Sequence, residues 1–253
     1  MDRSKANERD VKAANRALYD AVAGRYEEID GRRSPGLEAW LRRRLERLRE
    51  RAPGGGLLDL GAGSGLVARC AEGLFEPRVG ADLSARILAA HRGSFDLGVA
   101  ADADRLPFAD ASFDAVTCFS VLHHLYAFDG LVREVARVLR PGGVLYTDHD
   151  LEAAFWRRFR LPLGLYRRVR NARFRYQEAD ERISRDVYDL SEWHSNGVDA
   201  AGLVRLLEAA GFAVEASYHW FGLSPLTDRL FGEKPRGRGW APLLAIVATG
   251  GGR

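Results

Sequence analysis

The segment Leu57-Leu58-Asp59-Leu60-Gly61-Ala62-Gly63-Ser64-Gly65 carries the densest chemistry in this chain: a short apolar run ends in a carboxylate and then in glycines at alternate positions. Glycine accepts a positive φ and lets backbone approach a ligand where a Cβ would collide, and Leu66-Val67-Ala68-Arg69-Cys70 begins a helix behind it. The pattern is a strand entering a nucleotide-binding turn. A dinucleotide fingerprint requires Gly-x-Gly-x-x-Gly, whereas here the third glycine arrives one residue early and Leu66 fills its place, which argues against NAD. A second short run, Arg78-Val79-Gly80-Ala81-Asp82, ends in another carboxylate, placed to accept hydrogen bonds from ribose hydroxyls. Groups able to move a proton follow the later apolar runs: His123 and His124 after one, Asp148 at the end of another, with His149, Asp150, His194 and His219 as further candidates. Histidine has a suitable pKa for deprotonating a hydroxyl.

These groups need elements to hold them. Residues 8–26 and 37–50 read as helices; in the second, Leu37, Trp40, Leu41, Leu45 and Leu48 recur at helical spacing while Arg42, Arg43, Arg44, Arg47 and Arg49 mostly face elsewhere. Packing of that apolar stripe on a sheet is preferred to a membrane-surface helix, because Glu46 and Glu50 dilute the basic face. Strands are expected at 57–60, 78–82, 97–100, 114–119 and 143–148, and the Pro141-Gly142-Gly143 run reads as a turn after a helix. Beyond 150 the alternation breaks: Arg157, Arg158, Arg160, Arg167, Arg168, Arg170, Arg173 and Arg175 interleave with Phe155, Trp156, Phe159, Tyr166, Phe174 and Tyr176. Asp199 then reads as the N-cap of a helix over 200–210 stopped by Gly211, followed by strands at 213–218 and 243–248.

With 253 residues the chain can bury the core of a single α/β domain with a parallel sheet. Its 38 basic residues face 35 acidic ones, for a net charge of +3, a balance that argues against a nucleic-acid partner. The start is polar, without the apolar stretch of a signal peptide, and the run Leu243–Ala248 is too short to cross a bilayer, so a cytoplasmic protein with no stable membrane insertion is expected. Cys70 and Cys118 are the only cysteines and lack metal-ligand spacing, so no metal site or disulfide is expected.

Ala101-Asp102-Ala103-Asp104-Arg105-Leu106-Pro107-Phe108, the run from Ser112 to Leu125, and Arg137-Val138-Leu139-Arg140-Pro141-Gly142-Gly143 complete an ordered set of motifs. Together with the Asp-x-Gly-x-Gly-x-Gly loop, they resemble the class I S-adenosylmethionine-dependent methyltransferases, in particular the small-molecule, methyltransferase type 11-like group, over roughly residues 57–150. The resemblance implies an α/β, Rossmann-like, doubly wound seven-stranded sheet with its last strand antiparallel. It implies N-terminal helices over 1–55, a cofactor-binding core over 56–150, a helical lid insertion over 151–195 and a C-terminal helix and strands over 196–253.

For S-adenosylmethionine, the resemblance implies that Gly61, Ala62, Gly63 and Gly65 pass close to the methionine part and that Asp59 receives its ammonium. Asp82, with Leu83, would hold the ribose, Asp102 and Ala103 the adenine; Phe119 would line the methionine moiety, and Tyr19 and Tyr26 would cover the cofactor. His/Asp pairs act as base and partner in some O-methyltransferases of this family, which implies the same for His123 or His124 with Asp148. The acceptor is then a small or medium-sized metabolite methylated at a hydroxyl oxygen, and the lid aromatics and arginines either hold it or serve only as amphipathic packing. Two alternatives stay open: an RNA or protein methyltransferase that uses the arginine-rich lid, and a non-catalytic S-adenosylmethionine-binding regulator. The run Cys118-Phe119-Ser120-Val121 lacks the Asn/Asp-Pro-Pro-Tyr arrangement of nucleobase and glutamine N-methyltransferases, and two cysteines are too few for arsenic methylation. The start of the chain does not resemble the quinone-ring C-methyltransferases, though a related ring substrate stays open.

Overall fold

The computed structural model describes residues 5–30, 34–170 and 172–250; within the insertion, the side chains of Tyr166, Arg167, Arg168 and Arg170 lie outside the described set. Before the first strand stand α1 (Glu8–Val22), α2 (Tyr26–Asp30) and α3 (Pro35–Arg51). Asn7 starts α1 through a capping box with Asp10. The helix expected over 8–26 is two helices, because the chain leaves helical geometry around Gly24 and restarts at Tyr26. Ser34 caps α3 and Pro35 occupies its first turn, where a missing N–H costs nothing. Its stripe of Leu37, Trp40, Leu41, Leu45 and Leu48 is buried against Leu57, Ala115, Val144 and Tyr146 of the sheet, as the helical spacing implies.

The remaining elements alternate: β1 (Leu57–Leu60), α4 (Leu66–Cys70), β2 (Arg78–Asp82), α5 (Ala85–Ala90), β3 (Leu97–Ala100), β4 (Phe113–Phe119), α6 (Asp129–Val138) and β5 (Leu139–Leu151). After them come α7 (Ala153–Arg170), α8 (Ala172–Ala179), α9 (Arg185–Ser191), α10 (Ala200–Ala209), β6 (Phe212–His219), α11 (Pro225–Phe231) and β7 (Leu243–Gly250). The seven strands form one sheet in the order β3-β2-β1-β4-β5-β7-β6. The first five neighbours pair in parallel, and β7 runs antiparallel to both β5 and β6. Strand order reverses between β1 and β4, and the crevice that opens there at the carboxyl ends of parallel strands is where doubly wound sheets bind ligands. Among the described residues, no helix is long and apolar enough to cross a membrane.

Two irregularities interrupt β5. Phe113 pairs with Leu139 but Ala115 pairs with Val144, so Arg140–Gly143 bow out of register; the Pro-Gly-Gly turn is an excursion inside a strand that starts earlier than 143. A second register break against β7, between Thr147 and Asp150, coincides with His149 at a φ of +68°. Such a bulge re-aims a side chain that strand alternation would send to the other face.

Gly65 sits at the start of α4 with a φ of +79°, and a Cβ there would overlap Ser94 and come within 3.0 Å of the Phe95 ring. Gly65→Ala combines backbone strain with a core collision and is expected to lose about 1–3 kcal/mol of stability, read as a lower urea midpoint. An unchanged midpoint would show that the loop accommodates the methyl group.

Candidate active site

One pocket lies at the carboxyl ends of β1, β2 and β4, beneath α1. Tyr19, Tyr26, Asp59, Gly61, Ala62, Gly63, Asp82, Leu83, Asp102, Ala103 and Phe119, all singled out from the sequence, line it. Gly65, singled out with them, does not: its missing Cβ makes room for Ser94 and Phe95 behind the loop, so it serves packing. Gly61 has a φ of +63°, and a Cβ there would press to 2.5 Å from Val121, so the turn runs tight under the pocket only as glycine.

The acids are held in place by local donors. Asp59 is 2% exposed and accepts a hydrogen bond of 2.7 Å from the Thr117 hydroxyl on β4. Asp82 accepts the Gly63 N–H at 3.0 Å on one oxygen and the Ser84 N–H at 2.8 Å on the other, which ties β2 to the glycine turn. Burial pushes the Asp82 carboxyl up, against the lowering effect of those two N–H groups. Ser120, also lining the pocket at a φ of +58°, buries a hydroxyl with no partner among the described residues. Carboxylates at successive strand ends, a glycine cradle and an unanswered hydroxyl fit a ligand carrying an ammonium, ribose hydroxyls and an amino-substituted base.

The roof is α1. Lys12 reaches Asp102 at 2.7 Å and Asp104 at 2.6 Å, the Ser84 hydroxyl donates to Asp20 at 2.5 Å, and Tyr19 meets His124 Nε2 at 2.7 Å. Sequence reading singled out Tyr19 but not Lys12. The available signal was Lys12, Asn15 and Tyr19 at helical spacing beside the apolar Val11, Leu18 and Val22.

His124 is a clamp. Its Nδ1 lies 2.7 Å from the Ser191 carbonyl, which can only accept, so the proton is on Nδ1 and Nε2 accepts from the Tyr19 hydroxyl. Burial, with the neighbouring His123, pushes its pKa down to about 4, while burial holds the Tyr19 hydroxyl well above its ordinary value. Both ring nitrogens are engaged in joining α1 to α9.

The expected pairing of Asp148 with His123 or His124 is not the one formed. Asp148, fully buried, accepts from the Tyr146 hydroxyl at 2.6 Å, His149 N–H at 2.6 Å, His149 Nδ1 at 3.0 Å and His219 Nε2 at 2.8 Å. Burial alone would raise its pKa, but attraction to His219 and the hydrogen bonds from both imidazoles outweigh it and hold the carboxyl far below its usual range. The bulge at His149 causes the change of partner, turning residue 149 toward the carboxylate beside it. His123 instead places Nδ1 2.6 Å from Asp150 Oδ1, and neither His123 nor Asp148 lines the pocket, whereas His149 does. The His149 ring stacks on Phe119 at 4.4 Å, Trp40 meets it edge-on at 5.2 Å, and a Cβ on Gly222 would collide with its Nε2.

Among the described residues, none from the insertion after β5 lines this pocket. Phe155 packs on Trp220 at 5.2 Å and Phe159 on Trp240 at 6.3 Å, while α8 and α9 lie against α2 and α1. Among the described side chains of 151–195, Phe155 and Phe159 pack on Trp220 and Trp240, and the Ser191 carbonyl orients His124.

A family profile described as Methyltransferase domain matches residues 58–147. A demethylmenaquinone methyltransferase of Mycobacterium sp. (strain KMS) is 35% identical over 206 residues, covering 78% of this chain and 84% of the relative. One of that name from Mycobacterium marinum is 40% identical over 131 residues, 51% of this chain and 56% of the relative, so the chain spans little more than half the length of that protein. In structure, a Thermotoga maritima protein described as a possible histamine N-methyltransferase superposes with a TM-score of 0.57 at 17% identity, over 92% of this chain and 99% of its own, which shows the shared fold.

The clamp at His124 has a pH signature. Above its ordinary pKa of 6.5 the ring is neutral folded or unfolded; below it the unfolded chain takes up a proton that the folded protein refuses until about 4. His124 therefore withdraws stability as pH falls from 6.5 to about 4. Urea midpoints measured across that interval should fall less steeply for His124→Gln than for the wild type; equal slopes would show that another group carries the acid sensitivity.

Proposed function

Because this chain belongs to the S-adenosylmethionine-dependent methyltransferases, we propose that it methylates a small hydroxylated ring compound, at the hydroxyl oxygen, with His149 as base. The observation that carries this reading is His149, turned by its bulge into the same pocket as the Gly61 turn, Asp82 and Asp102, with Nδ1 on a buried carboxylate. Bound S-adenosylmethionine supplies an electrophilic methyl group on a sulfonium. Asp59 is assigned to the ammonium, Asp82 with Leu83 to the ribose, Asp102 and Ala103 to the adenine, and Tyr19, Tyr26 and Phe119 to the cover and wall.

Asp148 accepts the Nδ1–H of the His149 imidazole, a tautomer that keeps the lone pair on Nε2. That nitrogen takes the proton of the acceptor hydroxyl, and Asp148 stabilises the imidazolium that results. His219, donating to the same carboxylate oxygen at 2.8 Å, is a positioning residue, and Phe119 offers an aromatic face beside the imidazole for a planar acceptor. His124 has no part in the proton transfer. The relatives' name favours a second reading for the acceptor atom: loss of a proton from a quinol hydroxyl also enriches the adjacent ring carbons, so the methyl group would end on carbon, which then gives up its own hydrogen as a proton while the oxygen regains one.

Calorimetric titration should show S-adenosylhomocysteine binding and no NAD binding, with Asp82→Ala weakening the former by about 10- to 100-fold. With dihydroxyaromatic acceptors, His149→Gln should slow single-turnover transfer by about 10²–10⁴-fold at unchanged S-adenosylhomocysteine affinity. Failure of S-adenosylhomocysteine to bind overturns the pocket assignment, full activity of His149→Gln overturns the base, and NMR of the product assigns oxygen or carbon.

A further inference from the structure

α1 carries a buried amide whose orientation is set by its neighbours. Asn15 is 5% exposed, and its Nδ2 lies 3.0 Å from the Val11 carbonyl and 3.0 Å from the His124 carbonyl. Carbonyl oxygens only accept, so both amide hydrogens are used there and the assignment of nitrogen and oxygen follows from chemistry. The other end of the amide, Oδ1, is buried with no donor among the described residues, and Asn15 lines the pocket. An acceptor buried without a donor is costly to keep, so a ligand donor is the natural partner.

The neighbours indicate which donor. Three residues earlier, on the same helical face, the Lys12 ammonium bonds Asp102 Oδ2 at 2.7 Å, while the Asp104 N–H bonds Asp102 Oδ1 at 3.0 Å. Asp102 is therefore aligned from two sides, and the pocket wall at this end presents two acceptors, a carboxylate and an amide oxygen. A group with two N–H bonds diverging in one plane, an amino group on an aromatic ring, matches such a pair. We infer that Asn15 reads the nucleobase: its Oδ1 accepts one hydrogen of the exocyclic amino group whose other hydrogen goes to Asp102. The inference rests on the reading of this pocket as the S-adenosylmethionine site. It makes the roof helix selective, since a base carrying a ring carbonyl at that position would set oxygen against oxygen.

The test is calorimetric, using S-adenosylhomocysteine and its 6-oxo counterpart, S-inosylhomocysteine, on wild type and Asn15→Leu. The wild type should prefer the adenosyl compound, and Asn15→Leu should shrink that preference by about tenfold, chiefly through weaker binding of the adenosyl compound. Equal weakening of both compounds would mean that Asn15 only staples α1 to the His124 loop, and that result overturns the inference, as does an unchanged ratio. A wild type that binds neither compound overturns the pocket reading itself. Should Asn15→Leu not fold, S-(N6-methyladenosyl)homocysteine on the wild type decides. One N–H cannot serve two acceptors, so a loss of about tenfold is expected, and undiminished affinity overturns the inference.

Discussion

A carboxylate sealed from water must be met by donors on every side, and meeting that demand for Asp148 organises one side of this molecule. Four hydrogen bonds converge on it from Tyr146, His149 and His219, which belong to β5 and β6. Trp40 of α3 packs on both imidazoles, 5.2 Å from His149 and 5.3 Å from His219, so the segment before the first strand is drawn into the same cluster. The register break in β5, the position of the chain after β6 and the orientation of the one histidine that reaches the pocket from β5 all follow from keeping that charge satisfied.

Strand positions were legible where an apolar run gives way to a turn-forming residue. Leu60 before Gly61 and Asp82 before Ser84 mark ends that the structure reproduces, and the alternation of strands with helices pointed to the doubly wound order. What escaped was register. Nothing in Arg140-Pro141-Gly142-Gly143 says that the strand resumes pairing on the same neighbour after the turn, since that depends on Phe113 reaching Leu139.

The lining of the pocket was readable residue by residue because its groups lie at or just after consecutive strand ends in a fixed order. The Asp148–His149 contact was not, for a geometric reason: neighbours in a strand face opposite sides, so the two look like residues that never meet. One backbone angle, the φ of +68° at His149, reverses that, and no side-chain pattern announces it. The two adjacent histidines after β4 are the converse case. They look catalytic by type, yet one is locked between Tyr19 and Ser191 and the other is held by Asp150. Likewise the third glycine of the turn has the right spacing for a ligand and serves the Phe95 contact.

The pocket divides between two parts of the chain, one inside the methyltransferase profile and one outside it. Its floor lies inside residues 58–147, the stretch that matches the methyltransferase profile, while Lys12, Asn15, Tyr19, Tyr26, Leu37 and His149 lie outside it. The glycine turn and the acids thus come from one continuous stretch, while the helix above them and the His149 bulge of the fifth strand are supplied by the segments on either side of it. What such an architecture binds can then be altered at its roof while the glycine turn and the acids stay in place, so that specificity and scaffold are separable in the chain.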